Sequence, residues 1–338
     1  MMTELLKLPL FRFGGKEYTL DQFFAWAEYT EALIPVIEHL QKTEEAVQSG
    51  FEIDQERIQQ AVNEFRYHNN LITSAETHRW LRQRNLEIDD LYTHIYRKLS
   101  DPRKHLRLTP AAWKKRCLDP VREVWAELHF TAKFQRIFDD FVLRISIASR
   151  PEYYRNMYEL KDVMLTDLEN MIFLNQDNFH FSAFLEHVYR EYVEENVPRS
   201  LCEAKLRTYR IDLLKILYES ISFKDLNAAK EAYCCVRYDG ESLQSLAKRT
   251  GGVYESEYAF IEDIPELLRA PLLSAKAGEC LDPLRITPQR GYTVLYVTRK
   301  TEPHVNNIQV RERLERKVIE ELLADWNDQN FELLPWNR

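Results

Sequence analysis

The sequence predicts an α+β chain, mostly α, in which a multi-helix domain carries a small mixed-sheet domain inserted into it or appended to it. Three observations carry that expectation. Only 8 glycines occur in 338 residues, beside many Glu, Arg and Leu, which is a helix-rich composition. Apolar residues recur at three- and four-residue spacing along much of the chain. The stretch from Arg210 to Pro303 departs from that spacing, with short apolar runs, an alternating segment and repeated turn signals.

Taken in order, Phe11 to Thr19 forms a small β-element around Gly14-Gly15. Thr19 caps a helix with Leu20, Phe23, Phe24 and Ala27 on one face. Pro35 restarts or kinks it, and Val36, Leu40 and Val47 continue to Ser49-Gly50. Asp54 begins a helix bearing Ile58, Ala61, Val62 and Phe65, which stops at Asn69-Asn70. Thr73-Ser74-Ala75-Glu76 is a capping box ahead of Trp80 and Leu81. Asp89-Asp90 opens the next helix, with Leu91, Ile95 and Leu99. Asp101-Pro102 and Thr109-Pro110 punctuate a boundary. Trp113 to Ile147 reads as one long helix or two, with Phe141 to Ile147 also open to a strand reading, and Pro151 breaks it. Tyr158 to Phe173 and Phe179 to Asn196 give two more helices, and Leu201 to Tyr209 leads helically onward.

Ile211 to Tyr218 is an apolar run suited to a buried strand. A helix follows with Leu226, Ala229, Ala232, Tyr233 and Val236, closed by Asp239-Gly240. A second short helix carries Leu243, Leu246 and Ala247 and stops at Gly251-Gly252. Then come Tyr258-Ala259-Phe260, the turn Ile264-Pro265-Glu266, an apolar helix through Leu273, and Lys276-Ala277-Gly278-Glu279. Gly291 to Arg299 is an alternating strand, with Tyr292, Val294 and Tyr296 on one side and Thr293, Leu295 and Val297 on the other. After Pro303, Val305 to Trp326 reads as a helix with Val310, Leu314, Val318 and Leu322 on one edge.

The bulk properties exclude some classes. The formal charge is −8, from 46 basic and 54 acidic residues, which argues against nucleic acid. Basic runs such as Arg103-Lys104-His105 and Lys114-Lys115-Arg116 are short solvated helix ends. No apolar run approaches membrane-span length, and Met1 to Arg12 lacks a cleavage-site pattern, so a secretory signal is not expected. The five cysteines, Cys117, Cys202, Cys234, Cys235 and Cys280, are odd in number and scattered, which points to a reduced, cytoplasmic compartment.

The Arg210–Pro303 pieces resemble a parvulin-type peptidyl-prolyl isomerase domain. Those that carry the likeness are Ala229 to Ala232, Tyr238 to Leu243, Leu246-Ala247 before Gly251-Gly252, Ile264 to Leu268, Ala277-Gly278-Glu279, Pro283 and Gly291-Tyr292. The helices from Ile53 to Leu99 look like the amino-terminal arm of the SurA chaperone group. The resemblance implies a helical region over 1–100, a helical extension over 101–203, a parvulin-like domain over 204–303, and a carboxy-terminal helix over 304–338 returning to the helical domain.

Where the family places a His on the first strand, this chain is expected to carry Lys215. Where the family places a second His after Gly-Tyr, it has Thr293. Leu267, Leu268, Leu272 and Leu273 stand where active members offer Met and Phe to a proline ring. The prolyl barrier is roughly 20 kcal/mol, so the expectation is a degenerate fold with no catalytic residues and a peptide-binding cleft of Lys215, Leu267, Leu268, Leu272, Leu273 and Thr293. Lys215 itself reads as a solvent-facing strand lysine, and Asp212 and Glu279 as surface groups.

Other chemistry is weaker. His180, His187 and Glu191 share a helix side at metal-ligand spacing, yet polar residues on a wet helix face explain them as well. Cys234-Cys235 reads as buried structural thiol, lacking the cationic neighbours of a reactive one. Neither a phosphate loop nor a G-x-S-x-G elbow is present, and no cofactor is expected. The function expected is a peptide-binding accessory or chaperone that holds a client or leader peptide, or docks on an exporter or peptide-modifying enzyme. The rival expectations are an active prolyl isomerase and a helical metalloenzyme.

Overall fold

The computed structural model describes residues 2–48, 53–100, 113, 117, 119–153, 172–173, 175–287 and 291–336. Nearly all of the helix expected over Tyr158 to Phe173 lies outside them. So do the Ser49-Gly50 stop, the Asp101-Pro102 and Thr109-Pro110 punctuation, and both basic runs. The chain separates into two compact units, Met1–Glu195 with Leu322–Arg338, and Asn196–Glu321.

In chain order the elements are α1 (Met2–Leu6), β1 (Pro9–Phe13), β2 (Lys16–Thr19), α2 (Leu20–Tyr29), α3 (Ile34–Gln48), α4 (Gln55–His68), α5 (Ser74–Gln83) and α6 (Ile88–Leu99). They continue with α7 (Pro120–Phe130), α8 (Phe134–Ala148), α9 (Gln176–Asn196), α10 (Arg199–Leu206), β3 (Lys215–Phe223), α11 (Leu226–Asp239), α12 (Leu243–Thr250) and β4 (Val253–Phe260). The last are α13 (Glu266–Ser274), β5 (Glu279–Thr287), β6 (Gly291–Thr301), α14 (Ile308–Leu322), α15 (Ala324–Asn330) and β7 (Phe331–Leu333).

In the first unit the helix starts follow local chemistry. The Thr19 N–H donates to the Gln22 side chain at 3.0 Å, opening α2. Thr73 and Glu76 form the reciprocal box, with N–H to carboxylate at 2.7 Å and N–H to hydroxyl at 3.2 Å. Asp119 accepts the Arg122 N–H at 3.1 Å, with Pro120 in the first turn of α7. The aromatic stretch is two helices, α7 and α8, parted at Ala132, which sits at φ +56°. Phe141 to Ile147 is therefore helical. β7, which nothing in the sequence announced, pairs antiparallel with β1 and completes a three-stranded sheet in the order β2-β1-β7. Phe11, Phe13, Phe23, Phe24, Trp26, Trp125 and Phe141 are fully buried in this unit. Among the described residues no helix is long and apolar enough to cross a membrane.

The second unit is a four-stranded sheet in the order β4-β3-β6-β5. Its class is as expected, but every described pairing is antiparallel rather than mixed. Its first strand begins at Lys215, four residues later than the apolar run suggested. Ile211 to Leu213 form a turn with Leu213 buried, and the Leu214 carbonyl accepts the Ile261 N–H at 2.9 Å. On one face α11 and α12 pack Ala229, Ala232, Tyr233, Leu243 and Leu246 against Ile221, Phe223 and Val294. On the other, α13 packs Leu268 and Leu272 against Ile216, Tyr218, Leu295 and Val297. Gly291 starts β6 at φ +71°, and a Cβ there would lie 2.0 Å from the Phe223 carbonyl oxygen, so no other residue fits.

The helix after Pro303 does not return whole to the helical unit. α14 belongs to the sheet unit as far as Glu321, where Arg313 pairs with Asp263 at 2.6 Å and lies over the Phe260 ring at 4.1 Å. Lys317 adds a contact to Glu262 at 2.8 Å. Only Leu322 onward joins the helical unit.

Candidate functional site

Side chains alternate along a strand, so Ser220 and Ser222 of β3 share a face with Ile216 and Tyr218. α13 packs over the Ile216 and Tyr218 end. Further along, Thr293 of β6 pairs with Ser222, and their hydroxyls lie 2.7 Å apart. Ser220 and Thr293 are buried and Ser222 is half-buried, so the three make a hydroxyl shelf in the sheet rather than a row of solvated groups. On the neighbouring strand β4, Glu255 stands opposite Ser220 and Glu257 opposite Tyr218, both exposed. The Tyr218 hydroxyl donates to Glu257. Burial, and then the Glu257 carboxylate, push this phenol well above its ordinary value, so it stays a protonated donor at neutral pH.

Hydroxyls and a locked phenol donate and accept hydrogen bonds but do not exchange protons near pH 7. The one histidine in the sequence from residue 196 to 321 is His304, which follows the end of β6. This arrangement can hold and orient a polar backbone. The ionisable side chains nearest to it are the Glu255 and Glu257 carboxylates of β4.

Lys215 is not part of it. Lys215 pairs with Thr301 at the other end of β3, seven residues and roughly 24 Å from Ser222. The first-strand neighbour of Thr293 is Ser222, because the strand begins later than its apolar run. Nor does Lys215 simply face solvent: its Nζ donates to Gln309 at 2.8 Å and sits over the Tyr258 and Phe260 rings at 4.5 and 4.8 Å. The four leucines also divide. Leu268 and Leu272 are core, Leu273 is partly buried against that core, and Leu267 is 55% exposed.

His180, His187 and Glu191 lie on α9, with His187 exposed. Among the described residues no group of three His, Cys, Asp or Glu is arranged to hold a metal ion. Cys234 is exposed and Cys235 half-buried, which corrects the expectation of buried thiols, while burial pushes the Cys280 thiol up to about 11. Ser220, Ser222, Tyr218, Glu255 and Glu257 were all missed from the sequence. Gly291-Tyr292-Thr293 fixed one side of the shelf, and the Ser-x-Ser alternation at 220 and 222 was the unused signal for the other.

No family model matches the chain, and no curated protein sequence matches it. The solved structures to which it is similar are peptidyl-prolyl isomerase foldases and SurA-like chaperones. The PrsA peptidylprolyl isomerase of Bacillus cereus is 17% identical, with a TM-score of 0.30 over 61% of this chain and 83% of that one. The foldase PrsA of Streptococcus pneumoniae is 12% identical, with a TM-score of 0.26 over 94% and 87%. A SurA-like chaperone of Campylobacter jejuni is 11% identical, with a TM-score of 0.20 over 96% and 98%. Superpositions this loose assign no activity.

Proposed function

We propose that the protein is a polypeptide-binding chaperone or accessory that lays an extended segment of a client or leader peptide over Ser220, Ser222 and Thr293 without isomerising its prolyl bonds. One observation carries this reading: the sheet residue beside Thr293 is a serine, and the pair is joined hydroxyl to hydroxyl at 2.7 Å. Hydroxyls set beside the apolar Ile216, Leu295 and Val297 favour a backbone partner over proton transfer. The client would be presented by an exporter or a peptide-modifying enzyme, in a reducing compartment that suits five cysteines free of disulfides.

The test is a titration of the full chain with fluorescent extended peptides containing proline, in parallel with a prolyl isomerisation assay. Filling the shelf with Ser222→Phe is expected to weaken binding about tenfold or more, with no turnover by either protein. Unchanged binding, or turnover lost in Ser222→Phe, would contradict the proposal.

A further inference from the structure

The two edges of the four-stranded sheet are built differently. β5 carries Pro283 within the strand and breaks register against β6 between Leu281 and Leu284 and again between Arg285 and Thr287. Proline and irregular pairing are the devices that stop an edge from accepting another strand. β4 has neither. Val253 to Phe260 pair with β3 in unbroken register, and the outer strand is exposed from Glu255 to Tyr258, with Val253 63% exposed. Because Ile261 N–H bonds the Leu214 carbonyl, the alternation of an antiparallel ladder leaves the amides of Tyr254, Ser256 and Tyr258 on the outer side.

The side chains on this edge say which strand it takes. Glu255 and Glu257 share the face that carries the shelf, two residues apart. A second copy of the same strand, pairing antiparallel about Ser256, would set Glu255 against Glu257, and like charges directly opposite are destabilising. A strand with Lys or Arg at alternate positions meets both carboxylates instead.

We propose that β4 is a strand-addition site for an extended basic segment, whose alternate Lys or Arg side chains pair with Glu255 and Glu257 while its backbone bonds the outer amides of Tyr254, Ser256 and Tyr258. This rests on the polypeptide-binding reading and adds the manner of binding and the charge of the client. Backbone bonds give such a complex its affinity, and alternate side chains give its choice of partner.

The experiment uses the full chain and two fluorescein-labelled eight-residue peptides, one alternating Lys with Val and one alternating Glu with Val, read by anisotropy. The Lys peptide is expected to bind about tenfold more tightly than the Glu peptide. Ser256→Pro removes an outer donor without removing a bond to β3, and is expected to weaken the Lys peptide tenfold or more. The double variant Glu255→Lys, Glu257→Lys, compared with Glu257→Gln, which keeps an acceptor for the Tyr218 hydroxyl, is expected to reverse the preference. Binding untouched by these changes but lost in Ser222→Phe would overturn strand addition and leave the shelf reading standing. Equal binding of the two peptides would overturn the basic client. Failure of both to bind would overturn this inference and the shelf reading together.

Discussion

The two units bury polarity in opposite ways. In the helical unit, Glu127 is 1% exposed and lies 2.9 Å from His94 Nδ1 and 3.5 Å from His39 Nε2. Beside it Arg97, 3% exposed, contacts Glu123 and reaches Glu44 at 3.5 Å. These charges join α3, α6 and α7. In the sheet unit the buried polar side chains among the described residues are Ser220 and Thr293, both uncharged. A buried charge is tolerated only with close partners, so the helical network ties three helices to one relative setting. Hydroxyls cost less to bury than charges do. One unit spends its buried polarity on charged pairs between helices, and the other on a hydroxyl pair between strands.

Acid sharpens the contrast most. Burial, and then the charge of Arg84, push the His129 imidazole down to about 3. The unfolded chain takes up that proton first, near pH 6.5. This contribution is therefore complete above that value and falls as pH drops toward 3, by roughly 5 kcal/mol in all. His129 stacks on Phe134 at 4.4 Å, and His129→Phe should flatten the slope between pH 6.5 and 5 in urea titrations. For Glu127, burial acts upward, but the bond from His94 and the charges of His39 and Arg97 hold it below the ordinary carboxylate range. Its contribution is present above about pH 4.5 and is lost as pH falls through its lower folded value.

Next in size is Arg97→Ala, which removes the buried guanidinium from Glu123 and Glu44 and should cost about 3–5 kcal/mol in denaturant midpoint measurements. Leu272→Ala, at a fully buried site on α13, should cost about 3 kcal/mol, confined to the sheet unit. All six tryptophans, at 26, 80, 113, 125, 326 and 336, lie outside that unit. Circular dichroism should therefore show an earlier transition in Leu272→Ala while the tryptophan transition stays put. A joint shift would break the comparison. The smallest effect is Ser222→Ala, which leaves Thr293 without its hydroxyl partner and should cost about 1 kcal/mol by the same measurement.

How far the sequence carried depended on how local each signal was. The Thr73 and Glu76 box, the turn at Gly14-Gly15 and the glycine caps Gly240 and Gly251 need only neighbouring residues, and all appear where expected. β4 was invisible because an outer strand reading Glu-Ser-Glu-Tyr has no buried face to set an apolar alternation. Pro283 hid β5 in the same way. The first strand was misplaced because Ser220 and Ser222 dilute its apolar pattern, while Leu213 and Leu214 before it are apolar for packing a turn. The network around Glu127 joins residues 26 and more apart, and nothing within one helix foretells it. The shelf was half legible for the same reason: Thr293 has a local signature, whereas its partner depends on register.

The most direct test is exchange NMR on a proline-containing tetrapeptide titrated with the full chain. Uncatalysed exchange takes tens to hundreds of seconds. The account predicts that the peptide resonances shift on binding while the cis–trans exchange rate stays at that slow value. Accelerated exchange that disappears in Ser222→Phe would contradict it.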